Sequence, residues 1–222
     1  NFRCHSSFKL IMSCFLLSNS VLLKNKLFFM EGMWTACMPF IDKILSLIKE
    51  DVIGEPQYVS ADFGFIAPLD PKGRLFDKAL GGGSVMDIGI YPIFLCTLIL
   101  GEPTDIKTVS KLTATRVDEY ANVVMQYANG QTATILSSIN INTSLEAEII
   151  GTKGMIKINN PWFKATDFSV HLNDGTTQKF SMPHASNGFE HEVREVMDCL
   201  EKGLLQSNKV PHKLTLSISK IM

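Results

Sequence analysis

A change of hydrophobic period near Gly101 and Pro103 limits most strongly what this chain can become. Upstream, apolar residues recur at helical spacing; downstream, they alternate with polar ones. Residues 119–128 and 131–141 flank Asn129-Gly130, a strong hairpin signal. In the first of these segments Ala121, Val123, Met125 and Tyr127 share one face, and Asn122 and Gln126 the other. In the second, Ala133, Ile135, Ile139 and Ile141 oppose Thr132, Thr134, Ser138 and Asn140. Such alternation predicts an antiparallel sheet with one covered face. Residues 144–150, 155–158, 168–172 and 176–180 read as further short strands, separated by Gly-Thr-Lys-Gly and Asn-Asp-Gly turns. Val124 and Leu136 sit on the otherwise polar face, which suits it to pair with a second sheet.

The helical signals lie around this block. Trp34, Met38, Ile41, Ile44, Leu45 and Ile48 form one amphipathic stripe that stops before Gly54 and Pro56. Residues 57–65 read as a strand. Residues 67–83, with two Pro and four Gly, form a long loop, and loops of that length are usually functional or disordered. Residues 84–100 give a second helix and 188–202 a third. The third is expected to expose Glu190, Glu192, Arg194 and Glu195, and to bury Val193, Val196, Met197 and Leu200. Residues 214–222 open a fourth. The expected class is therefore α+β: a largely antiparallel, open-faced sheet with helices on one face.

Composition narrows the partners. A chain of 222 residues with 45% hydrophobic and 19% charged residues has enough apolar surface for a packed core. Twenty-one basic against 22 acidic residues, with no long run of either sign, argue against nucleic acid or an anionic membrane surface. The longest apolar run, 88–100, contains Gly89 and Pro92 and falls short of the roughly 18 residues of a membrane span. Five scattered cysteines without a C-x-x-C pair suggest free thiols in a reducing compartment, hence a cytoplasmic location. His191 and Glu195, with His184 nearby, do not make H-E-x-x-H, so no metal is expected; His171 reads as a surface or edge residue. Residues 1–29 stand apart. Their apolar stretch 10–17, after Arg3 and Lys9, reads either as a signal-peptide core or as a displaced segment, and the absent initiator Met favours the second. The division expected is 1–29, an atypical segment, and 30–222, one domain cut short at its end.

One stretch carries chemistry: Leu80-Gly-Gly-Gly-Ser-Val-Met-Asp-Ile-Gly-Ile-Tyr-Pro92. Glycines permit close backbone approach to a flat ligand, which makes Gly81, Gly82 and Gly83 candidate cofactor contacts. Asp87 and Tyr91, four residues apart, share a helix face, where Asp87 can orient Tyr91 or bind a substrate hydroxyl. The helix N-terminus lowers the cost of charge on both, and Tyr91 becomes a candidate acid or base. A purely structural reading fits the same residues: Ser84-x-x-Asp87 is also a capping box, and Tyr91 a core residue with a wet tip.

Glu31-Gly-Met-Trp34, Ile53-Gly-Glu-Pro56, Ala61-Asp-Phe-Gly-Phe65, the triple-glycine block through Pro92, Glu146-Ala147, Gly151-Thr-Lys-Gly154 and Pro161-Trp162 occur in this order. Together, over about residues 28–220, they resemble the C-terminal domain of the glucose–fructose oxidoreductase / inositol dehydrogenase (Gfo/Idh/MocA) family. The resemblance implies an NADP-linked oxidoreductase that moves a hydride between nicotinamide and the carbinol carbon of a sugar or cyclic diol. It implies Tyr91 as the catalytic tyrosine, Asp87 as its carboxylate partner, and Trp34, Phe65, Trp162 and Phe189 as aromatic walls of the substrate pocket. It implies a homodimer through the open sheet face. The chain departs from the pattern in showing no G-x-G-x-x-G and no Glu-Lys-Pro, and Ala36 follows Met-Trp-Thr where Arg is common. The N-terminal Rossmann domain is thus expected to be absent, and the chain inactive alone. Two functional classes stay open: the substrate half of an enzyme, or a non-catalytic module that dimerises through its sheet or binds a ligand.

Overall fold

The computed structural model describes residues 24–222, so the expectations for the apolar stretch 10–17, Cys4 and Cys14 lie outside the described residues. Eight strands form one sheet: β1 (Pro56–Gly64), β2 (Asp105–Leu112), β3 (Asp118–Gln126), β4 (Thr132–Ser138), β5 (Ala147–Gly151), β6 (Gly154–Ile158), β7 (Asp167–Leu172) and β8 (Thr177–Ser181). Their order is β2-β3-β4-β1-β5-β6-β7-β8. Every neighbouring pair is antiparallel except β1 and β4, which run parallel with Tyr58 opposite Thr132 and Gly64 opposite Ser138. The alternation predicted for β3 holds: Ala121, Val123 and Met125 are buried, and Asn122, Val124 and Gln126 are exposed. Asn129-Gly130 turns the β3–β4 hairpin, with Gly130 at φ 85° and the Tyr127 amide donating to the Gln131 carbonyl.

Among the described residues four α-helices accompany the sheet: α1 (Pro39–Lys49), α2 (Ile90–Leu100), α3 (Phe189–Glu201) and α4 (His212–Ile221). α2 is apolar nearly all round and correspondingly central, packed against β1 and α4. Ile93, Phe94, Leu95 and Cys96 are all 1% exposed or less. Each of the larger of these side chains contributes about 1.5–3 kcal/mol by leaving water. Phe40, Ile44 and Leu47 of α1 join the same core, together with Val59, Ile135 and Ile149 of the sheet.

The structure amends several expectations. The stripe begun at Trp34 is not one helix: a 3-10 turn at Trp34–Cys37 ends at Met38, whose ψ of 139° is extended, and α1 starts at Pro39. The cause is local, because a residue before proline is pushed away from the helical region. Strand β2 was not anticipated; it is an edge strand with little burial and therefore shows no clean alternation. Residues 84–100 do not form a uniform α-helix, since Val85–Gly89 is a π-helical turn leading into α2. The helical run Lys78–Leu100 is, by length and hydropathy, apolar enough to cross a membrane, contrary to the count made on 88–100; more than half of it is buried inside the domain. Helix α3 presents the opposite face from that expected. Phe189, Val193, Met197 and Leu200 are 50–58% exposed, while Glu195 turns inward and accepts hydrogen bonds from Ser207 and Cys199. The orientation of α3 follows these polar contacts and the burial of Cys199, not the apolar stripe.

Candidate active site

The triple-glycine entry is held by a carboxylate from the sheet. Ser84 Oγ donates to Asp118 Oδ2 at 2.6 Å, and the Val85 amide donates to the same oxygen at 2.7 Å. Asp118, at the start of β3, thus satisfies helix-start donors that a Ser84–Asp87 capping box was expected to satisfy. No side-chain cap is made by Ser84 itself.

The π turn has a consequence for Asp87. Its i→i+5 bonding widens the turn, so side chains four residues apart no longer superimpose as they do on an α-helix. Asp87 forms an ion pair with Arg74, from the long loop, instead of a hydrogen bond with Tyr91. Arg74 was not singled out from sequence, and nothing in its loop context marks it. Asp87 still lies near enough for its charge to act on the Tyr91 phenol.

Tyr91 sits on the first turn of α2, half-buried, and Trp34 Nε1–H donates to its Oη at 3.1 Å. With a lone pair so occupied, the phenol keeps its own proton available to another acceptor. Burial pushes the phenol above its ordinary value, the Trp34 hydrogen bond partly opposes this, and the charge of Asp87 adds to the rise. Against the expectation that the helix N-terminus would ease ionisation, burial holds the phenol in its neutral form.

Aromatic rings surround this hydroxyl. Phe63, from the end of β1, stacks on Phe163 with centroids 4.1 Å apart, and both lie tilted against Tyr91 at 5.5 and 5.9 Å. Trp34 stacks on Phe189 at 4.3 Å, which brings the start of α3 to the group. Gly188 makes that approach possible: its φ is 98°, and a Cβ there would meet Met38 Cε at 2.7 Å.

Of the aromatic candidates, Trp34 bonds Tyr91 directly and Phe189 joins the group through Trp34, whereas Phe65 and Trp162 make no ring contact with Tyr91. Trp162 is fully buried, with Nε1–H donating to the Asp62 carbonyl at 2.8 Å. Phe65 packs with Phe76, Ile88 and Ile139 in a second cluster, which Phe63 also touches. Their places are taken by Phe163 and Phe63. Phe63 was legible: it follows Val59 and Ala61 on the covered face of β1, whereas Phe65 lies past the strand's end at Gly64. Phe163 gave no such signal, because it sits in a 3-10 turn at Trp162–Lys164.

The three glycines do not form a cradle for a dinucleotide among the described residues. A Cβ on Gly82 would meet the Leu75 carbonyl oxygen at 2.7 Å, and one on Gly83, at φ 120°, would meet Asp118 Oδ1 at 2.2 Å. Their close approach is to this chain's own loop and β3. Gly81 alone faces open space. The described residues also contain no βαβ unit with a glycine-rich strand-to-helix turn, so they do not fit a nicotinamide dinucleotide by themselves.

Comparison with known proteins agrees with this architecture. Residues 41–157 match the GFO/IDH/MocA C-terminal domain. Trans-1,2-dihydrobenzene-1,2-diol dehydrogenase of Bos taurus is 31% identical over 196 residues, covering 83% of this chain and 57% of the relative. The Homo sapiens protein of the same name is 30% identical over 195 residues. Aldose-aldose oxidoreductase from Caulobacter crescentus, solved with glycerol, superposes with a TM-score of 0.74 at 24% identity, covering 86% of this chain and 58% of that one. KijD10, a 3-ketoreductase from Actinomadura kijaniata solved with NADP and TDP-benzene, gives 0.74 at 21% identity, covering 90% and 62%. The chain spans a little over half the length of the curated relatives it matches. It belongs to the GFO/IDH/MocA family, and its described residues have the fold of that family's C-terminal domain.

Proposed function

We propose that residues 30–222 form the substrate-side domain of an NADP-dependent oxidoreductase of the trans-1,2-dihydrobenzene-1,2-diol / D-xylose dehydrogenase type. Its substrate is a diol or sugar, and Tyr91 is the proton-transfer residue. The observation that carries this reading is the half-buried phenol, held by Trp34 at 3.1 Å within a set of aromatic rings. A nicotinamide held by residues outside this domain would supply the hydride chemistry at the carbinol carbon. The proton belongs to this chain. A phenol whose ionisation is suppressed by burial holds its proton at neutral pH, which suits it to the reductive direction: as a hydride adds to a carbonyl carbon, the phenol gives its proton to the carbonyl oxygen, and carbinol oxidation returns that proton to the phenolate. Asp87, tied to Arg74, keeps a negative charge near the phenol that further favours the protonated form. Phe63, Phe163, Trp34 and Phe189 offer apolar faces to a sugar or diol ring. In this reading Phe65 and Trp162 are packing residues.

The glycine contacts support a second part of the proposal: the isolated chain does not turn over, because the dinucleotide needs a cradle supplied by other residues. The buried free thiols Cys37, Cys96 and Cys199 agree with a reducing, cytoplasmic setting. Exposed Val109 and Val124 on the open sheet face support a homodimer through that face, the arrangement that a non-catalytic module would also use.

The test uses the full chain first. A cyclic trans-1,2-diol or D-xylose at millimolar concentration should perturb the emission of Trp34, and Trp34→Phe should remove the response while buried Trp162 still emits. In a protein completed with a nucleotide-binding half, Tyr91→Phe should lower NADPH-linked turnover by about two to four orders of magnitude, the range of acid–base catalysis, and leave NADPH binding intact. Undiminished turnover would remove Tyr91 from the chemistry. Diol binding without any turnover in the completed protein, with self-association lost on Val124→Lys, would favour the non-catalytic module.

A further inference from the structure

The segment after β8 brings two imidazoles and a carboxylate together beside α3. His184 Nδ1 lies 3.3 Å from His191 Nε2, and Glu190 Oε1 lies 3.9 Å from the same His191 nitrogen. One potential ligand atom from each of the three residues falls within 4.8 Å of the others, and all three side chains are half-buried. Sequence spacing had suggested Glu195 as the acid near these histidines; in the fold Glu195 bonds Ser207 and Cys199, and Glu190 takes its place.

We propose that His184, His191 and Glu190 form a binding site for a divalent transition metal of the zinc class. Three features carry the proposal. First, two imidazole nitrogens bound about 2.0–2.1 Å from one tetrahedral ion stand about 3.3–3.4 Å apart, which matches the observed separation. Second, His184 has a fixed tautomer. Its Nε2 lies 3.1 Å from the Lys164 carbonyl oxygen, an acceptor only, so Nε2 carries the hydrogen and Nδ1 of the neutral ring presents a lone pair. A carbonyl behind the second nitrogen is the outer-sphere partner that metal-bound histidines commonly have. Third, the carboxylate is oriented in advance: Glu190 Oε1 accepts from the Ser186 amide at 2.9 Å and Oε2 from the Gly188 amide at 2.8 Å. Each oxygen retains acceptor capacity beyond these bonds. Movement of the carboxylate toward the two nitrogens would complete a three-ligand set with one position open, the pattern of His₂Glu sites.

The placement gives such an ion a structural role. Lys164 closes the 3-10 turn that carries Phe163, and His191 lies two residues beyond Phe189. A metal here would fasten both aromatic walls to the segment 182–188. The site needs nothing from the oxidoreductase reading, and its test leaves that reading untouched.

The competing arrangement is a simple hydrogen bond from His191 Nε2–H to His184 Nδ1. Titration of the metal-stripped full chain with zinc, and with cobalt(II) as a coloured stand-in, separates the two. One equivalent bound with a tetrahedral cobalt(II) spectrum is expected, weakened at least tenfold by His184→Gln or His191→Gln and unchanged by His171→Gln. Should a variant fail to fold, the imidazole nitrogen NMR shifts of the unaltered chain decide, because zinc must move both His184 Nδ1 and His191 Nε2. No binding at millimolar zinc, or binding that survives loss of both histidines, overturns the proposal.

Discussion

The Tyr91 phenol is governed by opposed effects whose order sets its chemistry. Burial raises its pKa from the ordinary value of 10.0, the indole hydrogen bond from Trp34 lowers it, and the charge on Asp87 raises it again. A raised folded-state value stabilises the protein fully below the unfolded pKa, and that contribution is lost as pH climbs through the folded one. Trp34→Phe removes the only lowering contribution, so the phenol should ionise at still higher pH. The phenolate absorbance difference between each protein and its Tyr91→Phe counterpart measures this; a downward shift in the Trp34 variant would contradict the assignment. The position of Tyr91 was legible in sequence, but the sign of its shift was not. The helix-dipole effect can be read from a motif, whereas desolvation depends on Phe63 and Phe163, which arrive from distant elements.

Among the elements, the junction from the glycine loop into α2 depends on Asp118. One carboxylate oxygen accepts from both Ser84 Oγ and the Val85 amide while the other crowds Gly83. Asp118→Ala should destabilise the fold by about 1–3 kcal/mol through a lost cap at the Val85 amide and loss of the shortest Ser84 hydrogen bond, Ser84 Oγ keeping only the Ser137 carbonyl and hydroxyl at 3.3 and 3.0 Å. In a domain of this size that lowers Tm by about 2–4 °C per kcal/mol, which a thermal melt will resolve. An unchanged melt would mean that the Val85 amide does not depend on Asp118 and that Ser137 suffices for Ser84. The helices and strands flanking this junction were visible as periodicities, since each buries a face. The cap was not, because Asp118 is an ordinary strand-start carboxylate until the fold brings β3 under residue 84. Helix α3 illustrates the same limit from the other side: its stripe at Val193, Met197 and Leu200 is real, yet Glu195, Ser207 and Cys199 fix which side faces inward.

At the scale of the molecule, the sheet is held from its middle. β1 lies between β4 and β5 and contributes Val59, Ala61 and Phe63 to the side that α2 covers. The edges β2 and β8 are largely exposed. Hydrogen exchange should therefore be slowest at Val59, Ala61, Ile135 and Ile149, and fastest in the two edge strands. Equal protection across the sheet would indicate that it opens only as one unit. The antiparallel majority was evident from alternation and the Asn129-Gly130 turn. The parallel seam was not, because its two strands are separated by a helix and a whole hairpin.

That seam also has a consequence for synthesis on the ribosome. β1 emerges before its neighbours on both sides, residues 132–138 and 147–151, which are translated only after the intervening helix and hairpin. Until they leave the exit tunnel, Val59, Ala61 and Phe63 have no strands to lie between, and α2, the most apolar helix, has no sheet to cover. The nascent chain must carry an unshielded oily segment until those strands follow.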